Sequence, residues 1–288
     1  MSIAEFVYTT VLRPRPLKAM ANALIRQCIP DRLERNGAVT ILNPRDPVIS
    51  GALTFGVYEK AETAFFCSVC QPGMIFLDIG ANVGYYTALA SGRIGKQGKI
   101  IALEPDRENF QYLKRTVAAN GAEHAVCIRK AAADRNGSTR LYISANNRGD
   151  HRLYANDLSG SSYEVEISTI DEILKEQGLD SVDLVKIDVQ GYEGHVLRGM
   201  RETIRRSNRL ILLTEFWPFG LRSAGTAPED VLTELTESGM RLYELTGKGR
   251  LVGLADPKGF IERHRGRRYA NIVGVKGGPL SGNLEPGA

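Results

Sequence analysis

Residues 74–84, with the sequence MIFLDIGANVG, are the stretch that decides the fold. The apolar run from Met74 to Asp78 predicts a short buried strand, and the segment from Gly80 to Gly84 is typical of a tight loop that opens a helix. Gly80 allows the chain to turn sharply, and Gly84 allows backbone or ligand to approach closely. Because free amides at a helix start favour an anionic ligand group, the strand, loop and helix together indicate a ligand-binding turn.

The chain around this loop indicates which ligand it binds. The next predicted strand, 99–104, ends in Glu104, whose carboxylate can accept hydrogen bonds from a ribose diol. A dinucleotide loop usually has the pattern Gly-x-Gly-x-x-Gly, whereas this loop has Asp-x-Gly-x-Asn-x-Gly and begins with the acid Asp78. An anion is unfavourable beside a pyrophosphate but favourable beside the cationic amino-acid end of S-adenosylmethionine. The residues therefore favour S-adenosylmethionine over NAD(P), with a purely structural turn as the alternative.

The rest of the chain alternates strands with helices. The pattern predicts helices over 17–28, 58–69, 85–93, 108–120, 170–176, 193–206 and 228–238. It predicts strands over 74–78, 99–104, 125–130, 139–144, 163–168, 182–188, 210–216, 241–245 and 271–275. This order predicts an α/β fold with a mainly parallel sheet and helices on both faces, in which ligands bind at the carboxyl ends of the strands.

Four segments together resemble the FkbM-type methyltransferase family. They are 76–87 (FLDIGANVGYYT), 102–105 (ALEP), 168–171 (STID) and 182–193 (VDLVKIDVQGYE), and 196–199 (VLRG) continues the last of them. The resemblance runs from about residue 58 to the strand near residue 273. It implies a Rossmann-like class I methyltransferase fold, S-adenosylmethionine as the methyl donor and usually an oxygen acceptor.

The resemblance also implies roles for individual residues. It places Asp78, Gly80, Asn82 and Gly84 at the methionine end of the donor, with Glu104 on the ribose. The family's common segment Lys-Ile-Asp-Val-Glu-Gly is KIDVQG here, so the side chain of Gln190 stands where a glutamate is usual and cannot act as a base.

Three parts of the chain are predicted. Residues 1–55 are an N-terminal extension that serves as a lid or docking arm, with a packing arm as the equal alternative; 56–276 form the methyltransferase domain; 277–288 form a flexible tail. Among 288 residues, 43% are hydrophobic, so a sizeable core is expected. The net charge of +4 is only mildly basic, so it permits an acidic partner but does not require nucleic-acid binding. No apolar run has the length of a membrane span and no signal peptide is evident, so the cytoplasm is the expected location.

Candidates for catalysis lie at predicted strand ends. Methyl transfer to a hydroxyl requires alignment of the acceptor and removal of its proton. Asp188 is the best candidate for the base, with a helix cap as the alternative, and Lys186 lies on the same face of the strand, as an orienting or ion-paired residue. Glu215 is expected to bind the acceptor or to support Asp188. Trp217 is either a platform for the acceptor or part of the core.

Further polar residues lie in predicted loops and helix starts. Asp134 is expected either to bond the adenine amino group or to belong to a plain turn. Glu193 favours a helix N-terminus. His195 is interpreted as a surface histidine, with an acid or base that acts near neutral pH as the alternative. Arg148, His151 and Arg152 form a polar loop that we expect near the site.

The basic run 263–268 (RHRGRR) is open to three interpretations: it holds a phosphorylated or carboxylated acceptor, it contacts RNA, or it is a solvated loop. Cys67 and Cys70 have CxxC spacing without a second pair, so no metal site is expected. Taken together, the sequence predicts an O-methyltransferase that acts on a small molecule, sugar or natural product. An RNA or protein methyltransferase, an NAD(P)-dependent oxidoreductase and a non-catalytic nucleoside-binding module are the alternatives.

Overall fold

The computed structural model describes residues 15–144, 147–155, 159–266 and 268–278. The helices are α1 (Arg15–Cys28), α2 (Ile49–Thr54), α3 (Lys60–Val69), α4 (Tyr85–Ile94), α5 (Arg107–Ala119), α6 (Ile170–Glu176), α7 (Glu193–Arg198), α8 (Arg201–Arg206), α9 (Pro218–Ser223), α10 (Pro228–Glu237) and α11 (Pro257–Arg263). The strands are β1 (Arg32–Arg35), β2 (Ala38–Ile41), β3 (Ile75–Ile79), β4 (Lys99–Leu103), β5 (Ala125–Ile128), β6 (Ala131–Ala132), β7 (Gly137–Ser144), β8 (Ser159–Ser168), β9 (Leu184–Ile187), β10 (Leu210–Phe216), β11 (Arg241–Leu245), β12 (Leu251–Gly253) and β13 (Ala270–Lys276).

A central sheet of eight strands organises the molecule, in the order β12-β11-β13-β10-β9-β3-β4-β5. The run from β10 to β5 is parallel, whereas β13 lies antiparallel between β10 and β11. A smaller sheet, β6-β8-β7, and the hairpin β1-β2 lie outside it. The predicted mainly parallel α/β fold is confirmed. The carboxyl ends of β3, β4, β9 and β10 meet at one edge of the sheet.

Both faces of the central sheet are buried under helices. On β3, Phe76 packs into a core cluster that includes Phe66 of α3 and Leu89 of α4. The next residue, Leu77, packs into the opposite cluster with Ile173 of α6 and Leu235 of α10. Because successive strand residues point to opposite faces, the continuous apolar run of β3 is what a strand covered on both sides requires.

Most predicted helices and strands are present with ends shifted by a few residues. The predicted helix 193–206 is wrong, because the structure has two helices, α7 and α8, separated at Gly199 and Met200. Gly199 packs so closely on the main chain that a Cβ there would lie 1.9 Å from the carbonyl oxygen of Ala133. The loop after β6 and the helix pair are therefore held in contact. No helix in the described ranges is long and apolar enough to cross a membrane.

The N-terminal region contains ordered structure that the sequence pattern did not indicate. The hairpin β1-β2 docks on α5 through backbone amides: Ile41 N–H donates to Thr116 Oγ1 (3.0 Å) and Val39 N–H to Asn120 Oδ1 (2.9 Å). Helix α2 lies beside the carboxyl edge of the sheet. The division at residues 55 and 276 stays a prediction, and the predicted tail lies outside the described residues from 279 onward.

Candidate active site

A cleft of about 1370 Å³ opens at the carboxyl edge of the central sheet. Small-ligand pockets typically measure roughly 300–1,000 Å³, so this cleft is larger than the usual pocket for one ligand. Most of the site residues predicted from sequence line it, namely Asp78, Gly80, Asn82, Glu104, Lys186, Asp188 and Glu215. Gly84 and Asp134 take part in contacts elsewhere.

The glycine loop is shaped by two close approaches. Gly80 has φ +86°, and a Cβ there would lie 2.0 Å from the carbonyl oxygen of Asp188, so only glycine lets the loop contact the end of β9. Gly84 has φ +85°, and a Cβ there would lie 2.8 Å from Leu113 of α5. Gly84 therefore packs α4 closely on α5, and its predicted role at the donor stays a prediction.

Asp78 lies at the base of the loop, almost fully buried. The Thr87 hydroxyl donates a 2.6 Å hydrogen bond to its Oδ2. Burial raises the pKa of Asp78 to about 6, against the lowering effects of Thr87 and Lys186. A cation brought into the cleft beside this carboxyl would favour its ionised form.

Glu104 joins the loop to the second strand. Its Oε2 accepts a hydrogen bond from the Asn82 amide (2.9 Å) and its Oε1 from the Asp106 amide (2.8 Å). Each carboxylate oxygen has a second lone pair, so acceptor capacity is left for a ligand hydroxyl. Burial, followed by the nearby Asp106 charge, raises the pKa of Glu104 to about 8.

The polar loop predicted to lie near the site does so in part. The main-chain oxygen of Arg148 accepts hydrogen bonds from the side-chain amides of Asn82 (3.3 Å) and Asn109 (3.1 Å). Arg148 and His151 line the cleft. Arg152 instead places its guanidinium 4.8 Å from the ring centroid of Trp217. The main chain at Arg148 is thus tied to Asn82, in the part of the cleft that we call the glycine-loop half (Asp78, Asn82 and Glu104).

Lys186 and Asp188 form the centre of the opposite half of the cleft, which also contains Glu59, Gln190 and Glu215. Lys186 Nζ lies 3.2 Å from Asp188 Oδ2, 3.7 Å from Glu59 Oε2 and 4.5 Å from the ring centroid of Tyr86. Burial lowers the pKa of Lys186, but the carboxylates of Glu59 and Asp188 outweigh burial and raise it, so the ammonium stays charged. Asp188 keeps 21% of its side chain exposed, so its carboxylate remains accessible from the cleft.

Gln190 links the two carboxyl groups at the ends of β9 and β10. Its Nε2 donates to Asp188 Oδ1 (2.8 Å) and lies 3.4 Å from Glu215 Oε2. Burial, followed by the charge of Asp188, raises the pKa of Glu215 well above its usual value. A glutamate at position 190 would add a third acid here, whereas the amide donates to both.

Glu59 is a site residue that the sequence did not indicate. It lies inside the predicted helix 58–69, but α3 begins at Lys60 and Glu59 caps it in a left-handed conformation (φ 35°). Its Oε2 accepts a 2.6 Å hydrogen bond from the Tyr86 hydroxyl as well as facing Lys186. Glu59, Asn82 and Gln190 are the cleft's non-glycine residues with positive φ among those described. Such strained positions tend to cluster at functional sites.

Four other candidates lie in contacts outside the cleft. The prediction of a surface position for His195 is wrong: its Nδ1 lies 2.7 Å from Asp134 Oδ2 and its Nε2 lies 2.9 Å from the carbonyl oxygen of Ala224. The contact with His195 engages the carboxylate of Asp134, and the predicted hydrogen bond from Asp134 to the adenine amino group stays a prediction. Glu193 Oε1 accepts from the amides of residues 189 and 191 (both 3.2 Å). Trp217 packs under Arg152, apart from the cleft.

The basic run divides between the cleft and the surface. Arg263, His264 and Arg268 line the cleft, whereas Arg265 pairs with Glu262 (2.8 Å) on α11. All four cysteines, Cys67 and Cys70 among them, are free. In the described part of the chain no group of three metal-ligating side chains has a geometry that could hold a metal ion.

A mainly parallel sheet with a glycine loop after β3 and an acid directly after β4 defines a Rossmann-like fold with a nucleoside-type binding site. The Methyltransferase FkbM domain matches residues 78–242, which is more than half of the chain. The chain belongs to the FkbM methyltransferase family, so the resemblance seen in the sequence and the predicted enzyme class are confirmed.

Curated relatives are methyltransferases. Methyltransferase sdnD of Sordaria araneosa is 28% identical over 64% of this chain and 86% of its own length. The 2-O-methyltransferase NoeI of Sinorhizobium fredii is 30% identical over 51% of this chain, and the hexuronic acid methyltransferase AglP of Haloferax volcanii is 26% identical over 57%. This chain spans somewhat under two thirds of these last two relatives, 64% and 62% of their lengths.

Solved structures with similar folds include a methyltransferase FkbM from Methylobacillus flagellatus. It has 14% identity and a TM-score of 0.44, over 93% of this chain and 60% of its own. A putative methyltransferase from Streptococcus mutans, in complex with SAH, has 9% identity and a TM-score of 0.45, over 74% of this chain and 95% of its own.

Proposed function

We propose that this enzyme transfers the methyl group of S-adenosylmethionine to a carbohydrate hydroxyl. The observation that carries the proposal is Asp188, a partly exposed carboxylate held by Lys186 and Gln190. It directly follows β9, and its carbonyl oxygen is the group that Gly80 of the glycine loop approaches. The names of the relatives NoeI and AglP, which refer to 2-O-methylation and to a hexuronic acid, support a sugar as the acceptor.

The glycine-loop half suits the methyl donor. Asp78 offers a carboxyl to the cationic amino-acid end, and the spare lone pairs of Glu104 suit a ribose diol. An acid at position 78 disfavours a pyrophosphate, which argues against NAD(P). When bound, S-adenosylmethionine supplies a methyl group on a sulfonium sulfur, and the sulfur keeps the electron pair of the C–S bond as the new C–O bond forms.

The other half suits an acceptor hydroxyl. Asp188 takes the hydroxyl proton as the oxygen attacks, and this general-base step is the chemistry the protein must add to an already electrophilic donor. Lys186 and Gln190 fix the carboxylate, so the base is oriented before the acceptor arrives. Glu215, which Gln190 links to Asp188, lines the same part of the cleft and is placed to contact the acceptor.

The test is a methyl-transfer assay with a panel of glycosides and S-adenosylmethionine. We expect release of S-adenosylhomocysteine together with a product whose added methyl is assigned by NMR to a hydroxyl oxygen. Transfer to nitrogen, or to RNA or protein with none to any glycoside, would contradict the proposal.

A further inference from the structure

The loop between α11 and β13 lies beside the proposed base. Strand β13 runs antiparallel to β10, and its first residues, Ala270 and Asn271, pair with Phe216 and Glu215. Residues 268 and 269, which precede this strand, therefore lie at the edge of the sheet where Glu215 lies. Because β9 is the next strand, Asp188 belongs to the same corner of the cleft.

Two arginines, one at the end of α11 and one in the loop, line the cleft. Arg263 lines the cleft with 60% of its side chain exposed, and its nearest carboxylate, Glu244, is 4.0 Å away. Arg268 also lines the cleft and is exposed, and among the described residues it has no ion-pair partner. Both guanidinium groups can therefore take an anion without first breaking a strong internal ion pair.

The start of the loop is fixed by His264. Its Nδ1 donates to the carbonyl oxygen of Phe260 (2.9 Å), since a carbonyl can only accept. Its ring packs against the ring of Phe260, with centroids 4.6 Å apart, and 13% of its side chain is exposed. The end of α11, with Arg263, is thus held at the cleft by contacts within the chain.

The nearby acids do not cancel these cations. Lys186 lies between Glu59 and Asp188, so its single charge offsets part of the charge of these two carboxylates. Burial raises the pKa of Glu215, which disfavours its charged form. Glu244 also lines the cleft, but at 4.0 Å from Arg263 and 3.9 Å from His264 it makes only long contacts, which leaves the exposed arginines open to an anion.

We infer that Arg263 and Arg268 form an anion subsite that selects acceptors bearing a carboxylate or a phosphate on the sugar. The inference rests on the proposed function, because it assigns a recognition element to the acceptor half of that cleft. Guanidinium groups bind both anions through paired N–H donors, so the shared chemistry is an anionic sugar. Arg265, in the same run but paired with Glu262, lies outside the subsite.

The experiment measures binding of matched probes to the full chain loaded with S-adenosylhomocysteine. Tetragalacturonate is compared with its methyl ester, which has the same shape without the charges, and a glucoside 6-phosphate is compared with the glucoside. We expect at least one charged probe to bind about tenfold or more tightly than its neutral partner, since charge-assisted hydrogen bonds are involved. The preferred pair identifies the carboxylate or the phosphate as the natural anion.

The variants assign the preference to residues. In Arg263→Gln/Arg268→Gln the charged and neutral probes should bind nearly equally, while Arg265→Gln, which removes the same kind of charge, should keep the preference. S-adenosylhomocysteine should bind the double variant as it binds the wild type. A wild type without preference for either charged probe, or a double variant that keeps the preference, would overturn the subsite. Failure of S-adenosylhomocysteine to bind the wild type would instead overturn the proposed function on which the subsite rests.

Discussion

Replacing Asp188 by asparagine removes the proposed base and leaves the cleft in place. Asparagine has nearly the same shape, and its side-chain oxygen can still accept from Lys186 or from Gln190. Lys186 also keeps Glu59 at 3.7 Å, so its charge does not become isolated. We expect the free energy of unfolding to fall by only about 1–2 kcal/mol, below the roughly 3–5 kcal/mol typical of a buried charge left without a partner.

In Asp188→Asn, the activation free energy of methyl transfer should change by more than the free energy of unfolding does. A general base typically contributes about 10²–10⁴-fold, which corresponds to about 3–5.5 kcal/mol in the activation free energy. The assay is kcat with the best glycoside acceptor, alongside the dissociation constant of S-adenosylhomocysteine, which should change by less than about threefold because Asp188 serves the acceptor half. Asp183→Asn, at the other end of β9, is the control, since its oxygen can still accept from the Ile75 amide (2.8 Å). Wild-type kcat in Asp188→Asn would refute the reasoning.

Three further changes test other parts of the site. Glu104→Ala should weaken S-adenosylhomocysteine binding by about tenfold or more in calorimetry, because both the ribose and the glycine loop lose an acceptor; an unchanged dissociation constant would exclude the ribose role. Gly80→Ala should lower the free energy of unfolding, measured in urea, by more than about 2 kcal/mol, since the new Cβ would lie 2.0 Å from the Asp188 carbonyl oxygen. Gly178→Ala, at φ +66° with open space around it, should lower it by only about 1 kcal/mol. Equal losses would contradict the close approach. Burial raises the pKa of Glu193 from 4.5 to about 7, so its contribution to stability is present below pH 4.5 and is lost as the pH rises through 7. In Glu193→Gln, the fall in the free energy of unfolding between pH 5 and 8, measured in urea, should therefore be smaller by roughly 1–3 kcal/mol. An unaltered pH profile would count against this.

The parallel sheet could be predicted because its signals are local. Apolar runs such as 74–78 and 210–216 are bounded by turns, and glycines mark the loop after the first of them. The break between α7 and α8 could not be predicted in the same way. It depends on Gly199 meeting the main chain at Ala133, a contact between segments 66 residues apart in sequence.

The N-terminal hairpin escaped prediction for a similar reason. Its strands are four residues each, and β1 alternates exposed and half-buried residues with few apolar ones. Its docking depends on backbone amides that donate to Thr116 of α5 and to Asn120, the residue after that helix, and nothing in the local sequence indicates those partners.

In the site, motif position predicted Asp78, Glu104 and Asp188, because the topology brings all strand ends to one edge. Glu59 was missed, since its role depends on a left-handed residue at the start of α3 and on its distance to Lys186. The pairing of Asp134 with His195 could not be predicted, because it depends on the three-dimensional contact between the loop after β6 and α7.

The most direct test of the central claim is thermal unfolding of the full chain with S-adenosylhomocysteine, S-adenosylmethionine, NAD and NADP in parallel. A ligand present at about 100 times its dissociation constant adds roughly 2.7 kcal/mol to the unfolding free energy. The account predicts a rise in Tm with the two sulfur nucleosides and none with the two dinucleotides. A rise with NAD or NADP alone would contradict it, because the cleft would then hold a pyrophosphate beside Asp78.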